Sequence, residues 1–298
     1  MYRQTLIMPR MFRRTARSLG RFGLLALLLL AGTAGLAAAA PLGVATIVQG
    51  DVTLMRDAGK FALSEGVRLQ AEDIIEFGPQ ARLVSIEFSD GAMLYLGAGS
   101  RVLLAPHLAG DRSKARAYLL AGWAKLVAPT GVDAMLASPL ADLGGRDARV
   151  VLGLVSADRA QVFAEHGEWQ LHSAAGNTAL KQGDFATVGT RGKPETAARP
   201  TPDFFQALPR PFMDTLPARA KLFEAVNPTP KPLAPITYAD AQPWIDAETA
   251  LRRGELARWR PLSRDPGFRD GLIADLKTHP EWEPVLFPPA PASSIRKP

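Results

Sequence analysis

The chain has 298 residues, no cysteine and a formal charge of +6 at neutral pH. The lack of cysteine excludes a disulfide framework, a thiol nucleophile and a thiolate metal site. Six arginines and no acidic residue lie in residues 1–39, so the rest of the chain carries 29 basic and 29 acidic residues. The basic excess therefore belongs to the first segment, and nucleic acid is not an expected partner.

Residues 1–39 have the pattern of a signal peptide. An arginine-rich start precedes an apolar run over residues 22–36, and small residues follow at Ala37–Ala40. We predict cleavage between Ala39 and Ala40 and export to the periplasm or beyond. The alternative is an uncleaved anchor, because residues 22–40 reach the lower limit of a spanning helix, roughly 17–25 residues. The protein would then face the periplasm from the inner membrane, the one case in which we expect a membrane partner.

Residues 42–190 are predicted to form a β domain. Asp90–Gly91 separates the alternating runs Leu83–Phe88 and Ala92–Leu96, which indicates a hairpin. A further strand is predicted over Leu119–Val127. Residues 128–149 are predicted to be looser, because prolines and glycines interrupt them.

The β domain contains a repeated spacing, which predicts an internal duplication with units of about 44–127 and 150–188. Five residues recur after a constant offset of 117 positions. They are Gly50, Leu54, Gly59, Leu63 and Gly66, matched by Gly167, Leu171, Gly176, Leu180 and Gly183. The fold class is therefore mainly β.

Three further segments follow the β domain. Residues 191–237 hold ten prolines and form a predicted arm that packs on the β domain through its apolar side chains. Those side chains are Phe204, Phe205, Phe212, Leu216, Leu222 and Phe223. A short helix is predicted within residues 214–226 of this arm. Residues 238–287 form a predicted helical tail, with one helix over 239–255 and a second from Asp265–Pro266 to His279. Residues 288–298 are predicted to be disordered.

Few residues indicate chemistry. His166 and His172 could share a sheet face and bind a metal with Glu165 or Glu168, although solvated hairpin positions explain them better. Turn geometry likewise explains Asp90 better than a catalytic role.

The spacing Gly97-x-Gly99 is typical of a β-turn and does not precede a helix, as a phosphate loop would. We therefore assign no catalytic, cofactor-binding or metal-binding residue and expect no cofactor. We predict that the protein is not an enzyme.

Five tryptophans leave one alternative open. Trp123, Trp169, Trp244, Trp259 and Trp282 are expected in the core, but could instead stack on sugars. On that alternative the protein binds peptidoglycan or a surface polysaccharide.

The stretch from Val44 to Leu104 resembles the FecR domain family. The family pattern is a glycine after the first strand, a G-D-x-I-x-T-G turn and a later D-G turn. Gly50 fits the first, and Asp90–Gly91 fits the last. Residues 72–78 fit the middle turn as E-D-I-I-E-F-G, with Glu72 in place of glycine and Phe77 in place of threonine.

The resemblance implies an all-β module that binds another protein of the cell envelope. Well-known members regulate iron uptake by holding a sigma factor in the cytoplasm and sensing an outer-membrane transporter. About 20 residues precede the apolar run here, too few for a sigma-binding region. We therefore expect a stand-alone exported protein with a role in envelope signalling or assembly.

Overall fold

A computed structural model describes residues 41–288, which fold into a β-sandwich with an arm and a helical tail. The predicted signal peptide and residues 289–298 lie outside the described residues. The described strands are β1 (Gly43–Gln49), β2 (Val52–Arg56), β3 (Gly59–Ala62), β4 (Arg68–Leu69), β5 (Ile74–Phe77), β6 (Leu83–Phe88), β7 (Met93–Leu96), β8 (Arg101–Leu104), β9 (Ala117–Val127), β10 (Asp133–Ala137), β11 (Asp142–Arg146), β12 (Arg149–Ser156), β13 (Arg159–His166), β14 (Trp169–Ser173), β15 (Gly176–Leu180), β16 (Phe185–Gly189), β17 (Glu195–Ala197) and β18 (Lys231–Pro232).

Short helices are concentrated towards the C-terminus. The α-helices are α1 (Pro202–Ala207), α2 (Tyr238–Ile245), α3 (Thr249–Trp259), α4 (Pro266–Ala274) and α5 (Glu283–Leu286). Single 3-10 turns lie at Gly110–Lys114, Arg210–Met213, Ala220–Phe223, Arg260–Arg264 and Pro280–Trp282.

The strands form two sheets that enclose the main core. Sheet A runs in the order β4, β1, β6, β7, β9, β12, β13, β16, β17. Sheet B runs in the order β18, β3, β2, β5, β8, β9, β10, β11, β14, β15. Alternating side chains of both sheets, such as Leu54, Val84, Leu126, Leu152 and Leu171, form the buried layer between them.

Strand β9 belongs to both sheets. Its first half pairs with β8 and β10 in sheet B, and its second half pairs with β7 and β12 in sheet A. Gly122 sits at the crossing with φ +82°, and a Cβ there would lie 2.6 Å from the Ser100 backbone. The Ser100 hydroxyl donates to the Trp123 carbonyl at 2.7 Å and so holds the bend.

Two similar strand motifs account for the repeated spacing. In each of β1–β4 and β13–β16, the first strand lies in sheet A, a hairpin follows in sheet B, and the last strand returns to sheet A. Gly50 (φ +91°) and Gly167 (φ +74°) form the first turn of each motif, and Gly66 (φ +88°) and Gly183 (φ +92°) form the turn back. In both motifs the amide of the second glycine donates to the first strand at 2.8 Å. The outer limits of the repeat units stay a prediction.

The predicted hairpin at Asp90–Gly91 is confirmed, because β6 and β7 pair across it. The prediction of a looser segment over 128–149 is wrong, because β10 and β11 pair there in sheet B. The glycines that suggested a loop have a packing reason. A Cβ on Gly145 would lie 2.8 Å from the Trp169 ring, so only glycine lets the indole rest on β11.

The arm crosses the outer face of sheet A and rounds the edge of the sandwich. Phe204 and Phe212 are fully buried against this face, as predicted. The prediction is wrong for Phe205 and Leu222, which are 45% and 66% exposed. The expected helix within 214–226 is reduced to the 3-10 turn Ala220–Phe223. Further along, the arm adds strand β18 to the edge of sheet B beside β3.

The helical tail covers the outer face of sheet B. The single helix expected over 239–255 is two helices, α2 and α3, separated by residues 246–248. Helix α4 begins at the predicted cap, where the Asp265 carboxylate accepts from the Phe268 amide at 2.9 Å. It ends at Ala274, ahead of the predicted end at His279. Ile273, predicted on its apolar face, is 42% exposed.

Candidate functional site

The residues that carry the FecR resemblance have structural roles. Glu72 adopts a left-handed conformation (φ +67°), which explains why the family pattern has glycine there. Asp73 is 1% exposed and accepts two hydrogen bonds from the Arg56 guanidinium at 2.6 and 2.8 Å. Its carboxylate also accepts from the Gln70 amide at 2.8 Å. The acidic residue of this turn therefore joins neighbouring strands and does not face a cleft.

Two other carboxylates in the stretch that resembles the FecR family also form hydrogen bonds or ion pairs within the protein. Glu76 accepts from the indole nitrogen of Trp244 at 2.7 Å, which fixes the helical tail on sheet B, and burial raises the pKa of this carboxyl. Asp90 accepts from the Ala92 amide at 3.2 Å and pairs with Arg116 at 2.5 Å. Partial burial acts to raise the pKa of Asp90, but the hydrogen bonds from Arg116 and Ala92 lower it overall.

The histidines are dispersed. His166 ends β13 in sheet A, whereas His172 lies in β14 of sheet B and contacts the Asn177 side chain at 2.8 Å. The minor alternative that they share one sheet face is wrong, because the turn at Gly167 carries the chain between sheets. Both histidines are exposed, as the preferred interpretation of solvated hairpin positions expects. His279 is fully buried beside the Leu272 carbonyl, 3.1 Å away. Residues 41–288 contain no group of three or more possible metal ligands.

The tryptophans divide into four buried residues and one accessible residue. Four of them are at most 1% exposed, which confirms the expectation that they lie in the core: Trp169, Trp244, Trp259 and Trp282. Trp123 alone is half-buried among them, on the outer face of sheet A. Buried indoles cannot stack on a sugar, so the polysaccharide alternative loses four of the five side chains that suggested it.

The accessible tryptophan lies in an open groove, which we call the aromatic groove. Trp123 rests on Gly153 of β12, where a Cβ would lie 2.5 Å from the ring. The Phe204 ring lies 5.7 Å away, centroid to centroid, and covers part of the indole. The groove between β12, β13, β16 and α1 has a volume of about 490 Å³. Its lining comprises Trp123, Leu154, Val155, Arg159, Gln161, Phe185, Thr187, Thr201, Asp203 and Ala207.

The groove continues in both directions. Val155, Arg159 and Thr187 also line a neighbouring cleft that holds Arg191 and Lys193. Asp158 and Glu195 lie in the same cleft, so its charge is mixed with a basic excess. On the other side, Trp123 also lines a cleft of about 440 Å³ with Arg82 and Arg210. Val155 is 54% exposed, so an apolar side chain faces solvent at the centre of this surface.

Sequence reasoning missed the aromatic groove. The Phe204–Phe205 pair marked its position, but the arm was predicted to bury both rings. A short α-helix can bury only one of two consecutive side chains against a flat sheet, since successive residues point about 100° apart. Phe204 therefore packs on Phe185 at 5.1 Å, centroid to centroid, and Phe205 stays at the surface.

Buried carboxylates between sheet A and the arm are fully used. Glu87 on β6 is 6% exposed and accepts from the amides of Arg219 and Ala220 at 2.6 and 2.9 Å. Lys125 on β9 pairs with Glu165 on β13 at 2.9 Å and donates to an arm carbonyl. These groups fasten the arm to sheet A.

The tail is fastened to sheet B in the same way. Arg112 pairs with Glu248 at 2.7 Å and with Asp142 at 3.0 Å. Lys60 on β3 pairs with Asp240 on α2 at 2.7 Å. Burial acts to raise the pKa of Glu248, but the hydrogen bonds from Arg112 lower it overall. None of these pairs opens onto the aromatic groove.

Among known proteins, similarity to this chain is found in solved structures. No family model matches the chain, and no curated protein matches it. Among solved structures, it is similar to two crystal structures, at 2.50 and 1.65 Å, of a candidate anti-sigma factor from Parabacteroides distasonis ATCC 8503. Identity is 14% and 15%, with a TM-score of 0.35 for each. The match covers 42% of this chain and 59% of each of the other chains, so this chain spans about three fifths of their length.

Within residues 41–288, no helix is long and apolar enough to cross a membrane.

Proposed function

We propose that the protein is a non-enzymatic interaction module of the cell envelope. It is exported to the periplasm, is FecR-like, and binds another envelope protein in signalling or assembly. The observation that carries the proposal is the aromatic groove, where Trp123 is half-buried and Val155 is 54% exposed on the outer face of sheet A. Accessible aromatic and apolar side chains with a charged rim are typical of protein-binding surfaces.

The use of the ionisable groups supports a binding role. Asp73, Glu76, Glu87 and Glu165 each hold strands or layers together through ion pairs or hydrogen bonds. A catalytic pair would need two such groups to converge on a substrate cleft with a free face.

In-cell photocrosslinking from the aromatic groove tests the proposal. A photoreactive amino acid at Val155, which is 54% exposed, should yield a discrete adduct with one envelope protein. The matched control is Val226 on the arm, which is 46% exposed and lies away from the groove. We expect the Val155 adduct to exceed the Val226 adduct at least tenfold. Export is checked in the same cells, because the periplasmic protein should begin at Ala40.

Equal and diffuse adducts from Val155 and Val226 would contradict the proposed role of the groove. The variant Trp123→Ala separates binding from expression. It should weaken the Val155 adduct by more than it lowers the amount of periplasmic protein, which is quantified in the same cells, since Trp123 is only half-buried.

A further inference from the structure

Among residues 41–288, the sandwich has four edge strands, and they are protected unequally. Exposed sheet edges offer unpaired backbone groups to other chains, so proteins shorten them or place charges and prolines on them. At one end of sheet B, β18 is two residues long and consists of Lys231 and Pro232. At the same end of sheet A, β4 is also two residues long, and Arg68 donates to the Phe223 carbonyl of the arm at 2.7 Å.

The opposite edge of sheet A is protected as well. Strand β17 has three residues, Glu195–Ala197, including a charge. Pro194 precedes it and Pro200 follows it closely, so an added strand could pair over a very short length only.

Strand β15, at the opposite edge of sheet B, has none of these devices within its length, and the exposed Lys181 directly follows its last residue. It spans five residues, Gly176–Leu180, with the sequence G-N-T-A-L, and contains no charge and no proline. Within the described chain it pairs with β14 alone, and its backbone bonds to no other segment. Gly176, Asn177 and Ala179 are exposed. One side of β15 therefore presents a row of backbone donors and acceptors to solvent.

The two faces of β15 define what could add to it. Thr178 pairs with Leu171 and Leu180 pairs with Trp169, so these two side chains point towards the core. Thr178 is only half-buried, which leaves the core partly open at this edge. An incoming strand would close it with alternate apolar side chains while its other side chains stayed in solvent.

We infer that β15 is a strand-addition site that takes an extended segment of the partner protein. This inference rests on the proposed function, because it assumes a protein partner. A chain in β conformation is the occupant that matches a row of backbone hydrogen-bonding groups at a regular spacing. A strand edge of five residues is short for the area that a stable dimer of this chain would need, roughly 1,200–2,000 Å².

Photocrosslinking along β15 tests the inference in cells that express the full chain. Probes at Asn177 and Ala179, which share the outward face, should capture partner residues that lie two positions apart in one peptide. Mass spectrometry of the adducts reads this register. A contact between two folded surfaces without strand pairing would not produce this two-residue spacing.

A matched pair of substitutions then tests the edge itself. Thr178→Lys places a charge that an added strand would bury, so it should lower the Asn177 adduct at least tenfold. Thr196→Lys on the protected edge β17 should leave that adduct unchanged. Thr178→Val keeps the size of the side chain without a charge and should retain the adduct, and the melting temperatures of the Thr178 variants are measured alongside.

The outcomes separate the two proposals. An adduct from Val155 without one from Asn177 would overturn strand addition and leave the proposed function standing. Adducts from neither position would count against both. An adduct of twice the chain mass would show a second copy on β15 and overturn the choice of occupant.

Discussion

The two outer faces of the sandwich are covered in different ways. Helices α2–α5 seal the outer face of sheet B and bury Trp244, Trp259 and Trp282 to at most 1% exposure. The arm covers the outer face of sheet A and leaves Trp123 half-buried and Val155 54% exposed. One face is therefore a second core, and the other is an accessible surface.

Backbone chemistry explains the difference. Helices present an apolar stripe and pack side by side, so several of them cover a sheet without gaps. Prolines lack an amide donor and interrupt both helices and ladders. The proline-rich arm therefore crosses sheet A as a narrow strip held at Phe204 and Phe212, and it leaves a groove beside that strip.

The largest expected effect comes from opening the sealed face. Trp244→Ala should lower the free energy of unfolding by about 5 kcal/mol, because it empties a large buried volume. It also removes the indole donor, 2.7 Å away, from the buried Glu76 carboxylate. Urea unfolding measures the change.

Trp123→Ala is the control on the other face and should cost about 2 kcal/mol. Equal losses of unfolding free energy in the two variants would show that both outer faces are equally well covered, which would contradict the difference described above.

Neighbouring phenylalanines of the arm sharpen the comparison within one face. Phe204→Ala should cost about 4 kcal/mol, since the ring is fully buried among Trp123, Phe163 and Phe185. Phe205→Ala should cost less than about 1 kcal/mol, because its ring is 45% exposed. Thermal unfolding of the two variants side by side tests this difference. A larger loss for Phe205→Ala would mean that the arm packs in another register.

The sealed face should also give the fold a pH dependence. Glu255 on α3 is 1% exposed, and burial raises its pKa to about 7, although Arg258 lies 3.7 Å away and opposes the shift. The folded state then holds this proton more tightly than the unfolded state. The contribution to stability is greatest below the unfolded pKa near 4.5 and is lost as the pH rises towards 7.

The loss reaches at most about 3.5 kcal/mol, because one pKa unit corresponds to about 1.4 kcal/mol. Unfolding free energies at pH 5 and pH 8 should therefore converge in Glu255→Gln. Glu283→Gln, an exposed position on α5, should keep the difference seen in the unmodified chain. An unchanged pH dependence in Glu255→Gln would assign the effect to other groups.

Local signals predicted much of the fold. The Asp90–Gly91 turn and the Asp265–Pro266 helix start are confirmed, because each depends on backbone preferences of adjacent residues. The spacing of Gly50 and Gly167 correctly indicated two similar motifs. Strands β10 and β11 were missed, because Gly145 is there for contact with Trp169, a residue 24 positions further along the chain.

The candidate site was the least predictable part. The sequence shows that Phe204, Phe205 and Trp123 are aromatic. It does not show how exposed each ring is, because exposure depends on which distant part of the chain covers that ring. The edge strand β15 was equally hidden, since its sequence does not show that β14 alone pairs with it.

By itself, the sequence determined the β character, the turns, the proline-rich arm and the helical tail. These follow from local conformational preference and apolar periodicity. Only the tertiary structure decided that the tail seals sheet B, that the arm leaves the aromatic groove open, and that β15 keeps a free edge. Burial and strand pairing require surfaces from distant parts of the chain, and those surfaces meet only in the folded protein.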